Sequence, residues 1–174
     1  MMGLQLIFVV ETNKKCKSDW IYIKDTIERF YNYDQAHVKF TPIYMDGRGK
    51  YQNKEQEILK NISQYASTAE GNRTRVIYCF DCDDYDIKPE DAEFLRSAQQ
   101  YCSTKGYDFV WFCKDVERVY IGKKVDDGEK KRESATFKAK KLIVNVEMRK
   151  LCETNYKTNT SNIMKILDKY LERK

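Results

Sequence analysis

Three short stretches place acids where they could do chemistry. Residues 77–86 read IYCFDCDDYD, an apolar and aromatic segment running into Asp81, Asp83, Asp84 and Asp86. Residues 6–11 read LIFVVE, an apolar run closed by Glu11, and residues 114–117 read KDVE, bringing Lys114, Asp115 and Glu117. Carboxylates gathered in one place repel one another unless something positive sits between them, and hard oxygen donors with water suit Mg²⁺ or Mn²⁺. The expected chemistry is therefore metal-assisted, with Asp81 and Asp83 as a metal-holding pair and Glu11 as the third acid.

Those acids matter together only if the chain folds so that they meet. Residues 4–10, LQLIFVV, form an uninterrupted apolar, β-branched run, the mark of a strand buried on both faces. Residues 18–33 carry Trp20, Ile23, Ile27, Phe30 and Tyr31 at three-to-four spacing after Ser18, a plausible N-cap, and read as an amphipathic helix. Further strands are expected at 38–45, 75–80 and 108–113. Helices are expected over 54–66, capped by Asn53 with Ile58, Leu59, Ile62 and Tyr65 on one face, and from Pro89 to Gly106.

Strand, helix, strand repeated in this way specifies an α/β fold: an open, mainly parallel four-stranded sheet with helices on both faces. In such sheets functional groups collect beyond the carboxyl ends of the strands, where Glu11, Asp81, Asp83, Lys114 and Glu117 all fall. If the third major strand continues past Phe80, alternation puts Asp81 and Asp83 on one side and Cys82 and Asp84 on the other. Asp84 and Asp86 read more simply as turn residues ahead of Pro89.

The remainder divides the chain into a core over 1–122 and a basic, mainly helical extension over 123–174 packed on the same domain. That extension opens KKVDDGEKKRESATFKAKK and should hold a helix around 129–150 and a last one near 161–172, separated by the polar linker ETNYKTNTSN. The 174-residue length is enough for one domain with its own core. The net charge is +5, from 32 basic and 27 acidic residues, so its placement matters more than its size. The basic segment 123–150 is a candidate track for a nucleic-acid backbone, and also an ordinary solvated helix face.

The six cysteines are scattered within expected strands and helices, and no second pair stands at zinc-site spacing from Cys79 and Cys82. They read as buried thiols of a reducing compartment. No segment approaches the ~20 apolar residues of a membrane span, and the N-terminal run lacks the basic flank of a signal peptide. A soluble, cytoplasmic protein with no membrane partner is the expectation.

IFVVET with Glu11, followed by YCFDCDD with Asp81 and Asp83, resembles the Toprim domain shared by topoisomerases, primases and OLD-family nucleases. Within it the chain is most similar to the small RloB-like group associated with phage defence. The resemblance spans roughly residues 4–120. It implies that Asp81 and Asp83 hold Mg²⁺ or Mn²⁺, that Glu11 acts as acid, base or ligand, and that Glu117 matches an acid carried after the fourth strand. It departs at Thr12, where the family has glycine, and at Lys114–Asp115, where the family often has Asn-Pro.

The function it implies is metal-dependent cleavage of nucleic-acid phosphodiesters, DNA or RNA, in phage defence or a mobile element, with an ATPase partner or a homodimer allowed. Lys14, Lys15 or Lys114 would offset charge on the phosphoryl oxygens, and Tyr120, Phe137 or Tyr156 are available to stack on bases. Two rivals stand beside it. One is a haloacid-dehalogenase-like phosphatase with Asp81 as nucleophile, although that motif belongs after the first strand. The other is a catalytically inactive Toprim-like protein that binds nucleic acid or regulates a partner.

Overall fold

The computed structural model describes residues 2–174. Its centre is a five-stranded sheet in the order β3-β1-β4-β5-β6, built from β1 (Leu4–Val10), β3 (Val38–Tyr44), β4 (Arg73–Asp81), β5 (Asp108–Cys113) and β6 (Thr160–Ser161). The first four strands are parallel, and β6 is antiparallel to β5. The sheet is therefore mixed, with one strand more than the sequence pattern indicates. A second ladder of two strands joins β2 (Tyr31–Asn32) to β7 (Glu172–Arg173), tying the chain's end to the end of the first helix.

All seven residues of β1 are buried, as an interior strand between β3 and β4 requires. Its side chains alternate. Leu6, Phe8 and Val10 join one core layer with Tyr22, Ile23 and Ile27 of α1 (Ser18–Phe30), while Ile7 and Val9 join a second layer with Ile58 of α2 (Glu55–Ala66) and Leu95, Ala98 and Cys102 of α3 (Pro89–Lys105). Helices thus cover both faces. β3, at the open edge, carries Pro42 and Lys39, which blunt an edge against pairing with another chain.

The order of connections places the functional edge. From β1 the chain crosses by α1 on one face to β3, and from β4 it crosses by α3 on the other face to β5. Neighbours whose crossovers leave in opposite directions open a crevice at their carboxyl ends. That crevice lies between Val10 of β1 and Asp81 of β4.

The extension differs from the expected long helices. A short α4 (Val116–Tyr120) follows β5, and α5 covers only Lys130–Ala139 before the chain breaks into single turns at Leu142–Asn145 and Met148–Leu151. The last helix, α6, is only Ile163–Leu167. The run from 129 to 150 is rich in charge and poor in apolar spacing, so nothing holds one helix through it, and Lys141 interrupts it with a φ of 53°. The extension nevertheless packs on the core: Phe137 meets Tyr22 edge-on with ring centroids 5.0 Å apart.

Two capping expectations also fail. Neither Ser18 nor Asn53 caps its helix: Lys17 and Lys54 occupy those positions without a side-chain cap, and a seven-residue 3-10 helix at Arg48–Lys54 runs into α2. Leu59, expected on the buried face, is 52% exposed.

Candidate functional site

Glu11 follows directly on β1 and Asp81 ends β4, so parallel pairing sets them side by side across the crevice. Glu11 Oε2 accepts a hydrogen bond from the Asp81 amide at 3.3 Å. Its Oε1 is closed off from solvent and has no partner among the described residues. Burial, with the negative charges of Asp19 and Asp83, pushes the Glu11 carboxyl up to about 8. Asp81 is held in place from its other side, where Oδ1 accepts from the Val116 amide at 3.0 Å, and burial and the neighbouring Glu11 raise it well above the carboxylate range.

Asp83 is not the strand-paired partner that alternation suggests. β4 stops at Asp81, and Asp83 takes a left-handed φ of 50°, which turns the chain and ends the alternation. Its carboxylate lies 2.9 Å from Arg48 Nη1, while Arg48 Nη2 bonds to Asp91 at 2.6 Å and the guanidinium sits over Phe94. Asp83 still bears electrostatically on Glu11.

Glu117 reaches the same region from α4. Asp115 caps that helix by accepting from the Arg118 amide at 2.8 Å, which fixes Glu117 in its first turn, 1% exposed and with both carboxylate oxygens unpartnered among the described residues. Burial pushes Glu117 up to about 7. The nearest cation is Lys130, whose Nζ stands 4.0 Å from Glu117 Oε1 and 3.4 Å from Asp127. Glu117, Asp81, Asp127 and Asp19 in turn raise the Lys130 ammonium above its usual range despite its desolvation.

Lys114 does not join this group: its ammonium lies 3.2 Å from Asp86 and 3.7 Å from Asp84. Those two aspartates are turn residues as expected, with the Asp84 carbonyl receiving the Ile87 and Lys88 amides. Among the aromatics named for base stacking, Tyr120 and Phe137 are core side chains, and Tyr156 packs against Trp111 and Tyr85. The six cysteines are free thiols.

Three functional groups escaped the sequence reading. Asp19 opens α1, is 6% exposed, accepts from the Thr12 amide at 3.3 Å, and is pushed by burial up to about 6. Arg48 sits in what read as a glycine loop, and Lys130 in what read as a solvated helix. The only available signal for Asp19 was an acid in the first turn of a helix that begins just after Glu11; Arg48 and Lys130 gave none. Thr12 lacks a positive φ, so the backbone there does not require the glycine of the Toprim pattern.

Glu11, Asp19, Asp81, Asp127 and Lys130 line one cleft of about 320 Å³, and Asp81, Asp127 and Lys130 also line a second of about 380 Å³ with Asp83, Asp91 and Asp115. Of the carboxylates lining these clefts, Glu11 has a buried oxygen without a partner among the described residues, and burial and the neighbouring acids raise both Glu11 and Asp81. Among the described residues no three His, Cys, Asp or Glu side chains are gathered closely enough to hold an ion by themselves. Mg²⁺ characteristically binds through one or two carboxylates, several waters and a substrate phosphate. Glu11 and Asp81 lie side by side in the first cleft.

No protein-family model matches the chain, and no curated protein or solved structure is significantly similar to it.

Proposed function

We propose that the chain is a Toprim-like, Mg²⁺- or Mn²⁺-dependent phosphodiesterase acting on nucleic acid. The observation that carries this reading is the unpartnered, solvent-shielded Oε1 of Glu11 beside Asp81 at the crevice between β1 and β4. Glu11 and Asp81 would hold the cation, with Asp83 as a third ligand once released from Arg48. The bound cation would polarise the scissile phosphate and lower the pKa of water in the cleft. Glu11 would orient the attacking water or take its proton. Lys130, rather than Lys114, is the ammonium placed to offset charge developing on the phosphoryl oxygens. Glu117 keeps Lys130 charged and aimed into the cleft.

A second reading, a Toprim-like binding or regulatory protein without catalysis, is favoured by the Asp83–Arg48 pair, which holds one expected ligand off the site. The test is cleavage of single-stranded DNA, double-stranded DNA and RNA by purified protein with Mn²⁺ or Mg²⁺. Activity that disappears in Glu11→Ala and Asp83→Ala supports the enzyme. If all three substrates stay intact with either cation, the enzyme reading is abandoned for the second.

A further inference from the structure

Beside the acidic cleft lies a hollow of opposite character. About 440 Å³ in volume, it is lined by Asn13, Lys14, Lys15, Tyr44, Asp46 and Lys54, and it shares Asn13 and Asp46 with the cleft that holds Glu11 and Asp81. The two depressions are therefore contiguous across Asn13.

Its walls are fixed relative to Glu11. Asn13 Oδ1 accepts from the amides of Lys15 and Cys16 at 3.0 and 2.9 Å, and the Asn13 carbonyl accepts from the Lys17 amide at 3.0 Å. This Asx turn presents Lys14 and Lys15 to solvent. On the other side, the Met45 amide bonds to the Val10 carbonyl at 2.8 Å and the Gly47 amide to the Glu11 carbonyl at 3.0 Å. The loop after β3 is thereby strapped to the end of β1.

Lys14 and Lys15 form no ion pair with a described carboxylate, and Lys54 has only Glu57 at 3.8 Å. By contrast, Lys138 and Lys141 of the basic extension share a depression with Asp25 and Glu28 of α1, and Lys130 is turned into the acidic cleft. The hollow thus gathers three lysines with little or no pairing next to the cleft, whereas the 123–150 segment brings Lys124 and Lys130 to it among several aspartates.

We infer that this hollow is a binding subsite for a single-stranded nucleic-acid segment, with Lys14, Lys15 and Lys54 holding backbone phosphates next to the reacting one and Tyr44 facing a base. The inference rests on the phosphodiesterase reading and specifies its substrate. A small phosphate ester occupies the acidic cleft and leaves the lysines unused; a polynucleotide puts a second phosphate over them. A concave, cationic pocket with one aromatic side chain, Tyr44, suits a flexible strand whose bases are free to stack.

The test is fluorescence anisotropy with short labelled DNA and RNA single strands, in Ca²⁺, between about 50 and 200 mM salt. Neutralising three phosphate contacts on a single strand lowers the log–log salt slope by about 2, so Lys14→Gln/Lys15→Gln/Lys54→Gln should show that loss and bind about tenfold or more weakly at 0.1 M salt. Lys131→Gln/Lys140→Gln, in the exposed extension, should bind like the parent. The inference is overturned if the triple variant keeps the parent slope, if the extension variant carries the loss, if duplex binds more tightly than single strand, or if the parent binds no single strand. Cleavage in Mn²⁺ is followed in parallel. A parent that cleaves while the triple variant binds normally removes this subsite alone, and a parent that binds through the lysines but never cleaves removes the phosphodiesterase reading alone.

Discussion

The Asp81 amide donates to Glu11 Oε2 at 3.3 Å, joining two acids 70 positions apart at the mouth of the sheet's crevice. The bond orients the Glu11 carboxylate so that Oε1 has no partner among the described residues. A divalent cation bound there stabilises the folded state by mass action, about 2.7 kcal/mol when free cation is a hundredfold above Kd. For a chain of this length the melting temperature should rise by about 5–10 °C with Mn²⁺. Asp81→Asn and Glu11→Gln should each remove most of that rise, as read by thermal unfolding with and without cation. An unchanged rise in both variants would place the cation elsewhere.

Lys130 is the counter-charge of this site in the metal-free protein. Replacing it by Met leaves Glu117, Asp19 and Asp81 in mutual repulsion, and replacing Glu117 by Gln removes part of what Lys130 balances. The two substitutions should therefore be non-additive, with a coupling on the order of 1 kcal/mol in a double-mutant cycle of denaturant unfolding. Lys130→Met should also lower cleavage far more than it lowers substrate binding, because its contact strengthens as charge develops on the phosphoryl group. Strict additivity would show that the 4.0 Å pair carries no energy.

The alternating strands and helices, and the acids at strand ends, were legible because each is local. LQLIFVV has to be an interior strand, and Glu11 and Asp81 then have to meet if those strands pair in parallel. Strand alternation does not extend to Asp83 because β4 stops at Asp81 and Asp83 is left-handed, and no residue in DCDD announces it. β6 was illegible for a different reason. The stretch TNTSN has little strand propensity; it is held at the sheet edge by Asn162, whose side chain accepts from the Trp111 amide and donates to the Phe109 carbonyl, both at 2.9 Å. Arg48 and Lys130 reach the site only through tertiary packing, so their types and neighbours in sequence carry no trace of it.

Phe137 measures how far the extension belongs to the core. It is 1% exposed and packs edge-on against both Tyr22 and Tyr120, which stack on each other at 5.2 Å. Phe137→Ala should cost about 3–5 kcal/mol in denaturant unfolding, with a single transition for the whole chain. A loss below about 1 kcal/mol, or a separate early transition, would mean that α5 folds apart from the sheet.

Acidity should stabilise the metal-free protein in a window where most proteins are indifferent to it. Glu11 rises from 4.5 to about 8, Glu117 from 4.5 to about 7 and Asp19 from 3.8 to about 6, in each case chiefly through burial. Between the unfolded and folded values the native state holds protons that the unfolded chain has released, so stability falls as pH rises. The metal-free melting temperature should decline from about pH 4.5 to pH 8, and each group contributes at most ~1.4 kcal/mol per pH unit within its own window. Glu11→Gln should flatten the decline over its whole range, including pH 7 to 8, while Glu117→Gln flattens only the part below about pH 7. Mn²⁺ should oppose the decline and do so more strongly at pH 8 than at pH 6, because the cation competes with the same protons for the same carboxylates. A parent whose metal-free stability is level or rising from pH 5 to 8 would show that these carboxyls ionise freely, and the cleft would then lack the charge frustration on which the proposed cation site rests.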